Sequence, residues 1–340
     1  MQSEMKGREV RLALRPSGFP ALENFAIVDV PVREPNDGEV LVRNAYFSLE
    51  PYMRGRMNEA KSYAPPYQIG QAMTGSAVGQ VVASRAPELP VETWVQSELG
   101  WREYALGPAK LFRKIDVSQV SPSTYLGILG IPGLTAYVGL HDIGGLRSDD
   151  VVFISSAAGA VGSLAGQLAK LAGATVIGSA GGAAKVAYLK DELGFDAAFD
   201  YHDVDVKKKI SEYAPDGITL YFDNVGGEQL EAALATLRPH GRVIACGMIS
   251  QYNVPTPGPR NITVVIGKRL TIRGFIIFDH QNRWKDYAAE AIPLVRDGRL
   301  KLAESVVDGI QDAPQAFIDF LRGGKYLGKL VVRLPSQETR

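Results

Sequence analysis

Between Val151 and Ile277 the apolar positions gather into short unbroken runs, separated by stretches that repeat with helical spacing. Strands buried on both faces read as continuous apolar runs. Residues 151–154, 174–177, 197–200, 218–223, 242–246 and 270–277 are therefore predicted to be strands of a parallel sheet. The intervening periodicity predicts helices over 161–171, 183–193, 204–213 and 228–237. A further helix is predicted over 284–295, with Asn282 as N-cap and Asp297-Gly298 as its stop. Six strands in this alternation form the doubly wound α/β pattern of a Rossmann domain.

The flanking sequence differs in kind. Over 39–82, runs such as Val40-Leu41-Val42 and Ala77-Val78 are cut by Gly, Pro and Asn and predict short strands. The pattern changes near Pro122, and the small apolar residues of 126–140 predict a buried helix around Pro132. Beyond Gly298 short elements return, with a helix over 313–321 and a strand over 329–334. That strand cannot extend the parallel sheet without another crossover, so it is expected to rejoin the first domain. The expected division is 1–122 with 297–340 for a β-rich domain, and 123–296 for the Rossmann domain.

Composition narrows the function. A chain of 340 residues suits two domains, and 46% hydrophobic with 22% charged residues is ordinary for a globular protein. Lys+Arg and Asp+Glu number 37 each, so no broad field draws in nucleic acid or anionic lipid, and neither is expected as a partner. The single cysteine, Cys246, can form no internal disulfide and cannot by itself build a four-ligand zinc site; no metal is expected. The amino terminus lacks a long apolar core behind a basic start, and no apolar run approaches the ~18 residues of a membrane span. A cytoplasmic location is expected.

The run Val151-Val152-Phe153-Ile154 leads into Ser155-Ser156-Ala157-Ala158-Gly159-Ala160-Val161-Gly162 and then a helix. Small Ala157, Gly159 and Gly162 at this spacing let the backbone approach a pyrophosphate at a helix amino terminus. Ala157 replaces the usual first glycine of that fingerprint. NAD-specific folds place an acid about 20 residues downstream for the ribose hydroxyls. Here that stretch is Ile177-Gly178-Ser179-Ala180-Gly181-Gly182, with no acid, and Lys185, Tyr201 and His202 follow. NADP(H) is the expected cofactor. Against this stands the plainer reading of Lys185 as a solvated helix lysine.

A nicotinamide enzyme polarises its substrate with zinc, a Tyr/Lys pair, or hydroxyl and backbone donors. His141, His202, His240 and His280 are scattered and read as structural or exposed, and no tyrosine is followed four residues later by lysine. What remains is hydride delivery with mild acid help, which suits reduction of a carbon–carbon double bond conjugated to a carbonyl. Of 14 tyrosines, Tyr52 and Tyr252 lie in loop-like settings suited to a site, although any single tyrosine is more often core or surface filler.

The chain resembles the zinc-independent medium-chain dehydrogenase/reductases, in particular the branch of prostaglandin reductases, leukotriene hydroxydehydrogenases, alkenal double-bond reductases and curcumin reductases. The resemblance spans nearly the whole chain. It is carried by Ser48-Leu49-Glu50-Pro51-Tyr52-Met53-Arg54-Gly55-Arg56-Met57, Met73-Thr74-Gly75, Gly130-Ile131-Pro132-Gly133-Leu134-Thr135-Ala136-Tyr137, the Ala-Ala-Gly-Ala-Val-Gly turn and Phe222-Asp223-Asn224-Val225-Gly226-Gly227. Further matches are Gly247-Met248-Ile249-Ser250-Gln251-Tyr252-Asn253, Pro257-Gly258-Pro259-Arg260-Asn261 and Gly328-Lys329-Leu330-Val331-Val332.

The resemblance implies a GroES-like catalytic domain from both chain ends, a Rossmann domain between them, NADP(H) in the cleft and a homodimer. It places the cofactor on Ala158, Gly159, Ala160, Val161 and Gly162 at the turn, and on Gly181, Lys185 and Tyr201 around the 2′-phosphate. The rest of the cofactor falls to Thr135, Asn224, Cys246, Gly247, Ser250, Tyr252, Phe278 and Tyr326. Tyr252 is similar to a tyrosine assigned to proton delivery or cofactor positioning, and Tyr52 to one that contacts substrate; Tyr252 ranks first of the two catalytic candidates.

Three departures stand out: Ile131 for a common Met, Ser156 for Ala, and Tyr326 for an Asn that contacts cofactor. They are expected to leave cofactor binding intact, with Tyr326 reshaping the pocket. Gly70-Gln71-Ala72 lacks the His and Glu that zinc-dependent cousins carry there. The expected activity is NADPH-dependent reduction of α,β-unsaturated aldehydes and ketones. The alternatives are a quinone reductase, an alcohol dehydrogenase acting on a hydroxy-lipid, and a non-catalytic NADPH-binding protein.

Overall fold

The computed structural model describes residues 5–254, 256–323 and 325–335. The chain folds as two compact units, Met1–Leu126 with Glu304–Arg340, and Gly127–Ala303. Both crossings fall a few residues later than 122/123 and 296/297, and residues 1–4 and 336–340 of the expected first domain lie outside the described residues.

The central unit is a six-stranded parallel sheet in the order Ala197–Asp200, Thr175–Ala180, Val151–Ile154, Ile218–Asp223, Leu237–Ala245, Thr271–Gly274. This is the expected Rossmann order, with its reversal between Val151–Ile154 and Ile218–Asp223. Apolar continuity explains the sheet, because Phe153, Ile154, Val176, Leu220, Tyr221 and Phe222 are all without solvent contact. The rings of Phe153 and Tyr221 stack at 5.1 Å across the two central strands.

Several boundaries move for identifiable reasons. The sixth strand was expected over 270–277 but spans only Thr271–Gly274. Its neighbour ends at Ala245, which pairs with Gly274, so the ladder has nowhere further to go. The chain then turns helical over Ile277–Arg283 and runs into the helix Trp284–Arg296. Asn282 therefore lies inside a helical stretch rather than at its N-cap, which requires extended backbone. The helix expected over 183–193 is α over Ala183–Ala187 and a π turn over Tyr188–Glu192. That over 204–213 starts at Val206, because the Asp205 carboxylate accepts the Lys208 N–H at 2.9 Å and caps it. Within 126–140, the helix begins at Ile131, with Pro132 in the first turn where its missing N–H is harmless. Gly133 there faces the Ile128 carbonyl and the Tyr287 hydroxyl, and a Cβ would come within 1.9 and 2.1 Å of them.

The other unit is β-rich. Its larger sheet runs Glu304–Asp308, Lys329–Arg333, Glu39–Ser48, Ala77–Ser84, Trp94–Ser97, Arg113–Lys114, with Tyr104–Pro108 also on Glu39–Ser48. Lys329–Arg333 pairs antiparallel with Glu39–Ser48, in register Val331 to Ser48. It also lies parallel to Glu304–Asp308, the helix Ala313–Leu321 connecting the two. Fully buried Trp101 sits 5.6 Å from Phe47 and 5.7 Å from Phe317, so one aromatic cluster joins early strands to the late helix.

Candidate active site

The loop after Val151–Ile154 is shaped by close approach. Ser156 takes a left-handed φ of 49°, and its carbonyl accepts the Gly159 N–H at 3.0 Å. A Cβ on Gly162 would lie 2.5 Å from the Ser156 carbonyl oxygen and 2.8 Å from the Ala157 Cα. The helix Ala160–Leu171 thus sits against the turn at a distance that only glycine allows. Ala157 touches the next strand, where a Cβ on Gly178 would fall 2.9 Å from its own, so a small residue meets the need at this position. Gly159 is extended, and no side chain caps the helix there. The first-turn N–H groups of Ala160, Val161 and Gly162 have no intrahelical acceptor and carry the positive dipole end. An anion fits that terminus.

Gly181 and Tyr201 follow the neighbouring strand ends at Ala180 and Asp200, and Lys185 lies in the short helix Ala183–Ala187. A Cβ on Gly181 would meet the His202 ring at 2.7 Å and the Tyr201 ring at 3.5 Å, so both rings pack over the Gly181 backbone. Asp200, at the end of the third strand, was not expected to take part. Its Oδ2 accepts the Gly182 N–H at 2.7 Å, and its Oδ1 meets the His202 backbone N–H at 3.1 Å and the ring Nδ1 at 2.8 Å. These bonds hold its carboxyl below the usual carboxylate range and occupy both oxygens. Half-buried Lys185 is one turn away, its ammonium pKa lowered by burial.

At the fourth strand end stands a buried polar network that sequence reasoning passed over. Asp223 has no solvent exposure. Its Oδ1 accepts the Tyr221 hydroxyl at 2.7 Å and the N–H groups of Gly226 and Val225 at 2.8 and 3.0 Å. Ser155 Oγ lies 2.9 Å from the Tyr221 hydroxyl oxygen, whose single proton goes to Asp223, and accepts the Asn224 N–H at 3.0 Å, while the Asn224 amide donates to the Ser155 carbonyl at 2.8 Å. Asp223 Oδ2 has no partner, and burial raises the pKa of the carboxyl. The available signal was an acid closing the apolar run Ile218-Thr219-Leu220-Tyr221-Phe222, just ahead of Asn224-Val225-Gly226-Gly227.

The Asp223 carbonyl in turn accepts the N–H groups of Cys246 and Gly247, each at 3.0 Å, and Val225 accepts Ser250 Oγ at 2.6 Å. Asn224, Cys246, Gly247, Ser250 and Tyr252 are thereby brought together at the two strand ends. Burial pushes the Cys246 thiol up to about 12, which keeps it unreactive. Half-buried Tyr252 lies with its hydroxyl over Gly247, where a Cβ would come within 3.3 Å, and accepts the Met248 N–H in a long 3.4 Å bond. Burial raises its phenol pKa, and its proton has no acceptor among the described residues. A hollow of about 460 Å³ opens beside it, lined by Cys246, Gly247, Met248, Phe275, Ile276 and Asp279. Thr135 is buried in its helix, while Phe278 is exposed.

Tyr52 and Tyr326 belong to the β-rich unit, where both pack against one apolar core. No hydrogen bond engages the Tyr52 hydroxyl among the described residues. Also among those residues, no three His, Cys, Asp or Glu side chains group as a metal requires, and no helix is long and apolar enough to cross a membrane.

Residues 8–115 match the family described as N-terminal domain of oxidoreductase, and residues 160–293 that described as zinc-binding dehydrogenase. The chain is 38% identical to the NADPH-dependent curcumin reductase of Escherichia coli, over 99% of each chain. It is 38% identical to the NADP(+)-dependent 2-alkenal reductase of Nicotiana tabacum, over 98% of each. The chain belongs to the zinc-independent medium-chain dehydrogenase/reductases. Among solved structures of these reductases, that of CurA in complex with NADPH from Vibrio vulnificus superposes with a TM-score of 0.92 at 41% identity, over 97% of this chain and 99% of that one.

The Asp223 network of this dehydrogenase/reductase yields a test. Asp223→Ala leaves the N–H groups of Val225 and Gly226 without an acceptor, at about 1–3 kcal/mol each, and turns the Tyr221 hydroxyl to Ser155 Oγ, whereas Asp223→Asn keeps an oxygen for them and costs less. Because burial raises the folded pKa, the wild-type carboxyl loses stability as pH rises from its unfolded value through its folded one, and Asp223→Asn is free of that term. Urea titrations over a pH series measure both effects.

Proposed function

We propose that the protein is an NADPH-dependent reductase of the carbon–carbon double bond of α,β-unsaturated aldehydes and ketones. The observation that carries this reading is the Tyr252 hydroxyl, whose proton has no acceptor among the described residues, placed over Gly247, which lines the hollow at the carboxyl ends of the parallel strands. The near-full-length similarity to curcumin and 2-alkenal reductases supports it.

The open helix terminus and the glycine cradle fit a dinucleotide pyrophosphate, held by Ala158, Gly159, Ala160, Val161 and Gly162. Lys185 and Tyr201 would hold the 2′-phosphate, the role that the family resemblance gives them. Gly181, Thr135, Asn224, Cys246, Gly247, Ser250, Tyr252, Phe278 and Tyr326 would line the remainder. Bound NADPH supplies the hydride, which the β-carbon receives. Tyr252 holds a proton at its hydroxyl for the α-carbon, and Tyr52, whose hydroxyl has no hydrogen-bond partner among the described residues, is given by the family resemblance the role of a substrate contact.

Small enals and enones are the partners in this reading, and the location is cytoplasmic. It also includes a homodimer. The strand Thr271–Gly274 lies at the sheet edge with all four residues exposed, and Ile266 beside it is 80% exposed. Such an edge is a liability unless a second copy pairs with it. Ile272→Lys is expected to shift the sedimenting species toward monomer; an unchanged dimer would place the interface elsewhere.

Offered a 2-alkenal, an enone and a quinone with NADPH and with NADH, the protein is expected to oxidise NADPH with the enal and enone. Turnover of the quinone alone would overturn the reading. Charge-assisted hydrogen bonds contribute about 1.5–3 kcal/mol, so Lys185→Ala is expected to weaken NADPH by roughly 10- to 150-fold and leave NADH nearly unchanged. Equal losses for both cofactors in a fluorescence titration would remove Lys185 from the phosphate site.

A further inference from the structure

Lys329 is a buried cation of the β-rich unit, with a side chain 2% exposed. Its ammonium donates to Glu50 Oε1 at 2.8 Å and to Ser48 Oγ, and Ser48 Oγ donates to the same Glu50 oxygen at 2.8 Å. Glu50 is itself 9% exposed. Burying such a pair costs several kcal/mol per ion, and apolar residues of similar volume commonly stabilise as well or better. Stability alone therefore gives no reason for it. Its location does.

Glu50 begins the turn that delivers Tyr52. Its carbonyl accepts the Met53 N–H at 3.1 Å, and the helix that follows, Tyr52–Arg56, has only five residues. A helix this short cannot hold its own orientation in water, so tertiary ties must set it. On one side Met53 is locked into the core: Trp101 Nε1–H donates to its sulfur at 3.4 Å, and Gly75 leaves room for its methyl, which a Cβ would approach to 2.3 Å. On the other side the tie is Glu50 to Lys329, reinforced by the Leu49 N–H to the Leu330 carbonyl at 3.2 Å. Tyr52 stands between these two anchors.

We propose that the buried Lys329–Glu50 pair, bridged by Ser48, is the positioning device that aims the Tyr52 hydroxyl at the substrate. The inference rests on the role given to Tyr52 above. Burial and the neighbouring Glu50 charge both raise the Tyr52 phenol pKa.

The test is a double-mutant cycle on the full-length protein with NADPH. Glu50→Gln, whose amide oxygen still accepts from the Lys329 ammonium, and the apolar double replacement Glu50→Leu/Lys329→Met, which leaves no buried charge at the site, are each made with Tyr52 and with Tyr52→Phe. With Tyr52 present, each is expected to lower kcat/KM for a 2-alkenal by about tenfold or more, and with Tyr52→Phe by less than about twofold. NADPH affinity is expected to stay within about twofold throughout. 3-Fluorotyrosine at position 52 supplies a readout that needs no turnover: its fluorine resonance is expected to broaden or split when the pair is removed. Equal losses in both Tyr52 backgrounds, or an unchanged resonance, would overturn the proposal. A wild-type protein that reduces no enal would refute the assigned activity instead, and the resonance would still decide the positioning role.

Discussion

A carboxylate removed from water must find donors or give up its charge, and Asp223 meets that constraint at the reversal of strand order. Tyr221 from its own strand, and Val225 and Gly226 from the next turn, supply protons to one oxygen. Ser155, from the neighbouring strand's end, bridges Tyr221 to Asn224. The Asp223 main chain then takes the N–H groups of Cys246 and Gly247. Three strand ends are thereby tied around one side chain, and the residues proposed to line the cofactor's reactive end stand where those ties put them. The second carboxylate oxygen has no donor, a cost tolerated where the backbone must be held at this geometry.

A second arrangement of the same kind lies at the end of the third strand, where the Gly182 N–H and His202 bind the Asp200 carboxylate. In the reading proposed here, Lys185 and Tyr201 beyond that strand end take the 2′-phosphate of NADPH.

Much of this was legible in order along the chain. The apolar runs from Val151 to Asp223 and the glycine spacing at 157–162 announced a nucleotide-binding sheet, because buried parallel strands and close backbone approach both demand those residue types. Boundaries slipped where tertiary partners decide them. The strand at Thr271 stops where its neighbour stops, and Asn282 cannot cap a helix that has already begun. Tyr252 and Tyr52 were visible as tyrosines in loop-like sequence, but not that Tyr52 opens a helix or that neither hydroxyl proton has an acceptor among the described residues. The Ser155–Tyr221–Asp223 network and the Lys329–Glu50 pair went unread because each joins residues distant in sequence, 68 and 279 positions apart at its longest side-chain hydrogen bond; the acid closing the run 218–222 was the one local sign of the first.

The central claim is that the hydride goes to carbon rather than to carbonyl. The direct measurement is product analysis by mass spectrometry and proton NMR, using a 2-alkenal and NADPH deuterated at the transferable position. The account predicts a saturated aldehyde carrying deuterium at the β-carbon. An allylic alcohol with deuterium on the carbinol carbon would contradict it.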